Sequence, residues 1–305
     1  MHIAHFSDLH VLDLEGVPPH RFLNKRLSGY ANLRLKRKHV HHASYVRAVA
    51  QEVARVHADH VVITGDLTNL ALETEYRAVQ TLLEEELHLG PNDVSIVPGN
   101  HDFYTSGALR KRRFTEFFAP YVKCDLDLAV DIGTGHFPFV RLRNRAAIIG
   151  LSSAVPRLPF VASGRLGRAQ LDALARILEH PEVKSRTPVI VLHHPLHNPA
   201  SRVKTLVEGL VDADELGAAL GALPRGLVLH GHLHRRVRRS FPTSSGELFA
   251  IGATSASLHH EDGHRMSGFN LYEIDDVSGA IVRIEAHVFD EESGGFRTTA
   301  IPFVP

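Results

Sequence analysis

Short apolar runs recur along the chain, and several are separated by segments whose apolar residues have the spacing of amphipathic helices. The runs are about four to six residues long and rich in β-branched residues or leucine, which is typical of strands buried on both faces. They are found in HIAHFSDLH, HVVITGDLTN, VSIVPGNHD, AAIIGLSS, VIVLHHP and GLVLHGHLH. The helical segments are ASYVRAVAQEVARVH, ETEYRAVQTLLEEEL and LGRAQLDALARILEH. This alternation predicts an α/β core with much of the sheet parallel.

The pattern changes after residue 240, where FAIGATSASL, GFNLYEID and GAIVRIEAHVFD have the composition of strands. We expect them to form a second sheet packed on the first. No Pro/Ser/Gly-rich linker precedes them. The prediction is therefore one domain over residues 1–305, with a basic helical insertion at about 16–47 and a strand-rich C-terminal part at about 240–305.

Composition narrows the class of protein. With 44% hydrophobic and 22% charged residues, the chain has no apolar stretch near the roughly 20 residues of a membrane span. It begins with a strand pattern and not with a leader segment, so we expect a cytoplasmic protein. The single cysteine, Cys124, excludes intrachain disulfides and metal sites built from several thiolates. A bound metal would be held by His, Asp and Asn side chains.

Polar residues with metal-binding side chains follow the predicted strands. In open α/β sheets, ligands bind outside the carboxyl ends of the strands. Five segments bring such residues to that edge: Asp8 and His10, Asp66, Asn100 and His101, His193 and His194, and His232 and His234. This is more than one ion requires, and it favours two metal ions that share a carboxylate.

The order of these residues resembles the motifs of the calcineurin-like metallophosphoesterases. The blocks are DLH at 8–10, GD at 65–66, GNHD at 99–102, HHP at 193–195 and GHLH at 231–234. The resemblance implies a four-layer αββα sandwich, in which two mixed β-sheets are flanked by helices and a dinuclear metal site lies at the strand ends. It also implies a ligand set: Asp8, His10 and His234 on one ion, Asn100, His193 and His232 on the other, and Asp66 bridging them.

Two divalent or trivalent ions, Mn, Fe or Zn, suit these ligands. Such a pair can hold a bridging hydroxide that attacks a phosphoryl group. His101, next to a ligand, is expected to act as general acid or charge stabiliser. Asp102 either orients His101 through a hydrogen bond or caps the following turn.

The other histidines are not part of the predicted ligand set. We expect His230 and His5 to lie inside strands, and His41 and His42 in a loop or helix start. His194 either packs in the protein or contacts substrate, and we favour packing. The segment 255–265 is either a substrate-facing loop or a His-rich turn.

Basic residues are concentrated in one part of the chain, because Gly16 to Gln51 contains no acid. Residues 21–38 mix leucines and aromatic residues with positive charges. We rank three interpretations: first a helical insertion whose apolar side packs on its own protein with a solvated basic face, then a surface for anionic membranes, and last a nucleic-acid contact, which we do not expect. This stretch and the runs at 110–113 and 235–239 all follow metal-bearing strands, so we expect the three to rim the site and attract a small anionic substrate.

The segment GLSSAVPRLPFVASGRLGRAQLDAL is similar to the corresponding segment of bacterial cyclic-nucleotide phosphodiesterases. The resemblance therefore implies a metal-dependent phosphodiesterase acting on a small organic phosphodiester, such as a cyclic nucleotide or a glycerophosphodiester. The alternatives are a phosphomonoesterase, a lipid-linked pyrophosphate hydrolase or a non-catalytic metal-binding scaffold. The hydrolases of lipid A precursors differ from this chain, since their usual block has arginine where it has His101.

Overall fold

The computed structural model describes residues 1–32, 40–133, 135–158, 161–198 and 201–304. Its strands are β1 (His2–Phe6), β2 (His60–Ile63), β3 (Val94–Ile96), β4 (Val130–Asp131), β5 (His136–Phe137), β6 (Phe139–Arg143), β7 (Ala146–Gly150), β8 (Thr187–Val191), β9 (Arg225–His230), β10 (Val237–Pro242), β11 (Glu247–Gly252), β12 (Gly268–Ile274), β13 (Ile281–Asp290) and β14 (Gly295–Thr299). Its α-helices are α1 (Lys25–Asn32), α2 (Ala43–Arg55), α3 (Glu73–Glu86), α4 (Ser106–Arg110), α5 (Arg113–Phe118), α6 (Arg168–Glu179), α7 (Pro181–Lys184), α8 (Arg202–Glu208) and α9 (Ala213–Leu220). Short 3₁₀ helices cover Pro19–Phe22 and Ala119–Val122.

Two six-stranded sheets form the core. Sheet one has the order β14-β13-β12-β1-β2-β3, and sheet two has the order β10-β11-β9-β8-β7-β6. Strands β1, β2 and β3 are parallel to one another, as are β7, β8, β9 and β11. The other neighbours in each sheet are antiparallel. Both sheets are therefore mixed, as predicted.

Alternation along the strands of sheet two separates two cores, because successive side chains of a strand point to opposite faces. One set belongs to the core that sheet one and helices α2 and α3 also share: Ile148, Val189, Val191, Leu227, Leu229 and Ile251. The other set packs with α6 and α9: Ile149, Ile190, Val228, Leu248 and Ala250. The layers run helix, sheet, sheet, helix, and the predicted four-layer αββα sandwich is confirmed.

The C-terminal strands depart from expectation. They do not form a sheet of their own, since β10 and β11 extend sheet two while β12, β13 and β14 extend sheet one. Strand β12 pairs with β1, and β11 pairs with β9. Without them β1 and β9 would be edge strands with unpaired backbone groups, and pairing satisfies those groups.

The described part of the basic insertion packs on the protein, with Phe22 and Tyr30 against the buried Leu70 and Leu72, but basic residues also face inward. Arg26, only 4% exposed, donates from Nε to the Leu70 carbonyl at 2.7 Å. Arg21 Nη2 lies 2.6 Å from Glu73 Oε2. Leu23 and Leu27, by contrast, are 81% and 58% exposed. Arg21 and Arg26 thus face the protein and these two leucines face outward, so the expected solvated basic face is wrong for these residues. Residues 33–39, which carry much of the charge of the segment 21–38, lie outside the described residues.

The other two basic runs also contribute to packing. Arg113 is buried and pairs with Glu73, with 2.7 Å between Nη2 and Oε1. Arg236 is buried and donates to the carbonyls of Gly263 and Met266 at 3.0 and 2.6 Å. The expectation that both runs rim the site is therefore wrong for these two residues, whose charges serve internal hydrogen bonds. Among the described residues, no helix has the length and apolar composition needed to cross a membrane.

Candidate metal centre

The loops that follow the strands adopt an uncommon backbone conformation. Ten non-glycine residues of the described chain have a positive φ, and five of them are predicted ligands: Asp8, His10, Asp66, His232 and His234. This conformation costs about 1 kcal/mol or more per residue, so it persists only where surrounding contacts enforce it. Two such contacts join the first two loops, since the Asp8 and His10 amides donate to the carbonyls of Gly65 and Asp66 at 2.9 and 3.0 Å. Strain of this kind is concentrated at functional sites.

The motif glycines allow these loops to approach closely. A side chain at Gly99 would collide with the Asp66 carboxylate, and one at Gly231 would collide with Ser7 and with Asp8 Oδ2. The glycines of the GN and GH blocks are therefore required by packing around the two carboxylates.

The first group of donor atoms comes from the loops after β1 and β9. His234 Nε2 lies 3.0 Å from Asp8 Oδ1 and 3.2 Å from His10 Nε2. His10 Nε2 is 3.9 Å from the same Asp8 oxygen. These are the three residues expected to share one ion.

The second group centres on His193 Nε2. Asn100 Oδ1 lies 3.2 Å from this atom, His232 Nδ1 3.3 Å and Asp66 Oδ2 3.4 Å. His193 Nδ1 lies 2.6 Å from the Thr64 carbonyl, and His232 Nε2 lies 2.8 Å from the Glu208 carbonyl. A carbonyl only accepts, so each of these ring nitrogens carries a proton, and the opposite nitrogen is the one that can coordinate a metal ion.

The donor sets fit metal ions. Donors that share an ion at bond lengths of about 2.1 Å lie roughly 3.0 to 3.4 Å apart in octahedral or tetrahedral geometry. Around His193, two imidazole nitrogens, an amide oxygen and a carboxylate converge at such separations, and a cation, either the proton on His193 or a metal ion, offsets the repulsion between them. The composition of both sets, with imidazole, carboxylate and amide donors, suits Mn, Fe or Zn.

The pKa values of His193 and His232 are shifted in opposite directions. Burial opposes protonation of His193, but Asp66 and Asp8 raise its pKa to about 9. Burial and the neighbouring His193 lower the pKa of His232 to about 4. His232 is thus neutral and ready to coordinate, whereas a metal at His193 must displace a proton.

Asp66 lies between the two groups. One of its oxygens is within 4.8 Å of donor atoms of Asp8 and His193, and one is within the same distance of donor atoms of His10 and His101. Burial favours the neutral acid, but His193 and His101 hold the pKa of Asp66 well below its usual range. The side chain is therefore a carboxylate in the position expected of a bridge.

His101 and Asp102 have different partners from those expected for an orienting pair. His101 Nδ1 lies 2.8 Å from the Asn69 carbonyl, and the His101 amide donates to Asp66 Oδ1 at 2.7 Å. Asp102 is buried and accepts from the amides of Gly99, Leu67 and Thr68 and from the Thr68 hydroxyl. The expected contact in which Asp102 orients His101 is thus replaced by the Asn69 carbonyl. Asp102 instead holds the GNHD loop against the loop after β2.

Three other histidines, His194, His230 and His5, are buried in the protein. Both ring nitrogens of His194 have partners, Ser153 Oγ at 2.8 Å and the Ala162 carbonyl at 2.7 Å, which supports the packed interpretation. His230 is buried, with Nδ1 3.1 Å from the Gly231 carbonyl. His5 is buried within β1.

His41 is a residue of the site that sequence reasoning missed. Its ring centroid lies 5.0 Å from that of His10 and 5.8 Å from that of His234. Its Nδ1 is 2.7 Å from Ser257 Oγ, and its backbone pairs with that of Leu258. No local motif marks this residue, because only the return of the segment 255–265 to the strand edge brings it there.

Comparison with known proteins agrees with this geometry. The family model described as Calcineurin-like phosphoesterase matches residues 1–236. Among curated protein sequences, no relative matches this chain. A dimetal phosphatase from Danio rerio has a similar structure, with a TM-score of 0.56, 16% identity, and coverage of 89% of this chain and 92% of its own. The purple acid phosphatase PPD1 from Lupinus luteus seeds has a TM-score of 0.57 and 11% identity, covering 99% of this chain and 54% of its own. Because the family model matches residues 1–236, the chain belongs to the calcineurin-like phosphoesterases and is a dinuclear metal-dependent phosphoester hydrolase.

Proposed function

We propose that this protein hydrolyses a small organic phosphodiester, such as a cyclic nucleotide or a glycerophosphodiester. The observation that carries the proposal is the convergence of two donor sets on either side of Asp66, with His101 beside them. Asp8, His10 and His234 would hold one ion, and Asn100, His193 and His232 the other, with Asp66 shared. When bound, two ions of Mn, Fe or Zn supply an activated water and stabilise charge on the phosphoryl oxygens.

His101 would protonate the leaving oxygen. Its Nδ1 donates to the Asn69 carbonyl, so Nε2 is the nitrogen that takes up and releases a proton. The ring stacks on Tyr104, with 5.4 Å between centroids and 21° between planes. The hydrogen bond to Asn69 and the stacking on Tyr104 together fix the orientation of the ring. Nε2 can therefore deliver a proton in one direction, as a general acid requires.

Two observations favour a diester over a monoester. The segment after β7 is similar in sequence to that of cyclic-nucleotide phosphodiesterases. A cavity of about 620 Å³ also lies beside Tyr104 and leaves room for a second organic group. The alternatives are a phosphomonoesterase and a lipid-linked pyrophosphate hydrolase.

Hydrolysis of bis(p-nitrophenyl) phosphate and p-nitrophenyl phosphate by Mn²⁺-loaded protein tests this choice. We expect kcat/KM to be at least about tenfold higher for the diester, because its second group occupies the cavity. 3′,5′-Cyclic AMP and glycerophosphodiesters would then be compared as substrates. A preference for the monoester would overturn the proposal in favour of the phosphomonoesterase.

We also propose that this protein is cytoplasmic and that it contacts anionic membranes through the segment 21–38. The exposed leucines Leu23 and Leu27 and the sequence charges of residues 34 to 38 support this contact. At low salt, the protein should sediment with phosphatidylglycerol vesicles and not with phosphatidylcholine vesicles. Replacing both leucines with glutamine should reduce the bound fraction several-fold. Equal sedimentation with both vesicle types, or with neither, would exclude the contact.

A further inference from the structure

A second feature of the strand edge is the cavity beside the metal centre. Three parts of the chain line it: Asn24 and Lys25 at the start of α1, Tyr104 to Ser106 at the start of α4, and Pro156 to Leu158 with Val161 after β7. The first segment belongs to the insertion that follows the β1 loop. All three segments therefore follow strands whose carboxyl ends lie at the metal-bearing edge.

The Tyr104 ring lies between the cavity and His101. Tyr104 lines the cavity and stacks on the His101 ring. His101 in turn donates its amide to Asp66 between the two donor sets. A substrate whose phosphoryl group lies at the metal centre can thus extend past His101 and place a substituent in the cavity.

The cavity is positively charged. Lys25 Nζ lies 4.6 Å above the Tyr104 ring and donates to the Arg157 carbonyl at 3.0 Å. Arg157 Nε donates to the Ser163 carbonyl at 3.0 Å. These contacts position the Lys25 ammonium and the Arg157 guanidinium at the cavity. Among the described lining residues there is no Asp or Glu, while Thr105 and Ser106 add hydroxyl groups.

We propose that this cavity is a subsite for an anionic substituent, a carboxylate or a second phosphate, on the organic group of the substrate. The inference rests on the proposed hydrolysis of a small phosphodiester and refines its substrate class. Lys25 and Arg157 bind the second anion, and Tyr104 forms the wall between it and the reacting phosphoryl group. Substrates with an anion beyond the scissile phosphate are then preferred to 3′,5′-cyclic AMP, which has none.

Phosphonates test the subsite without turnover, because their P–C bond is not a phosphoester. Binding of phenylphosphonate, 4-carboxyphenylphosphonate and 1,4-phenylenediphosphonate to Mn²⁺-loaded protein would be measured by calorimetry. We expect Kd to be at least about tenfold lower for one or both of the probes with a second anionic group than for phenylphosphonate. The better of the two identifies the second anion as carboxylate or phosphate. Equal Kd values for all three would overturn the subsite.

Variants attribute the preference to the named cations. Arg157→Gln and Lys25→Gln should each reduce the preference to within about threefold, and Arg157→Lys should retain most of it. The matched control is Arg168→Gln, since Arg168 is exposed on α6 and lies outside the cavity lining. A preference lost equally in the control would assign it to the net charge of the protein and not to the cavity. Mn²⁺ content and thermal midpoint verify that each variant is folded.

Hydrolysis separates this inference from the proposed function. The substrates are 4-nitrophenyl phenyl phosphate and its 4-carboxyphenyl and 4-phosphonophenyl analogues. Hydrolysis of all three with the same KM would leave the phosphodiesterase intact and overturn the subsite. Anion-selective phosphonate binding without hydrolysis of any diester would support the subsite and overturn the phosphodiesterase.

Discussion

Replacement of Asp66 by alanine should remove both metal ions and all measurable phosphoesterase activity. Asp66 is the carboxylate that lies between the two donor sets, with Oδ2 3.4 Å from His193 Nε2. Its loss leaves one ion with Asp8, His10 and His234 and the other with neutral ligands alone, and each ion then has fewer than the usual number of ligands. It also removes the acceptor of the His101 amide hydrogen bond, so the GNHD loop loses a contact. Metal analysis of the purified variant, after reconstitution with Mn²⁺, measures the effect directly.

Two further variants make the result specific. Asp66→Asn keeps the size of the side chain and one acceptor oxygen but removes the charge, and it should also lose metal. Asp172→Asn is the matched control, because Asp172 is a half-exposed acid that pairs with Arg168 on α6. It should retain two ions per chain. An Asp66→Asn protein with two tightly bound ions would contradict the bridging role, and loss of a single ion would confine Asp66 to one group.

Replacement of His101 by alanine should leave the metal content unchanged and lower kcat by about 10²- to 10⁴-fold on a diester with an alkyl leaving group. An alkoxide needs a proton as it departs, and the structure points to His101 Nε2 as the group that supplies it. p-Nitrophenolate leaves without a proton. On bis(p-nitrophenyl) phosphate the loss should therefore be much smaller, no more than about tenfold.

The comparison of leaving groups distinguishes two roles of His101. An equal loss on both substrates would indicate that it stabilises charge on the phosphoryl group instead of acting as general acid. Loss of metal would indicate that it is a ligand, which its distance to His10 and Asp66 permits. His136→Ala is the control, since His136 is an exposed histidine in β5 and should change neither quantity.

Much of the fold followed from local patterns. The three predicted helices correspond to α2, α3 and α6, and the six predicted strands to β1, β2, β3, β7, β8 and β9. These elements have strong apolar periodicity, and burial of that face is the main source of their stability. The C-terminal strands were recognised as strands but assigned to the wrong sheet. Their partners, β1 and β9, are distant in sequence, and periodicity carries no information on pairing between distant segments.

By itself, the sequence determined the residue types of the candidate site and the edge at which they meet. Each of the five blocks follows a strand, and parallel strands bring their carboxyl ends to one edge of a sheet. Only the tertiary structure decided which atoms face one another. The carbonyls of Thr64 and Glu208 select the coordinating nitrogens of His193 and His232, and Asn69 takes the place expected for Asp102 at His101. No sequence motif marked His41 or Arg157. His41 lies at the metal centre and Arg157 lines the cavity beside it, on loops that meet only in the folded chain. A side-chain hydrogen bond requires that its donor and acceptor atoms lie about 3 Å apart. Folding determines which atoms meet at that distance, and the local spacing of residues in the sequence does not predict it.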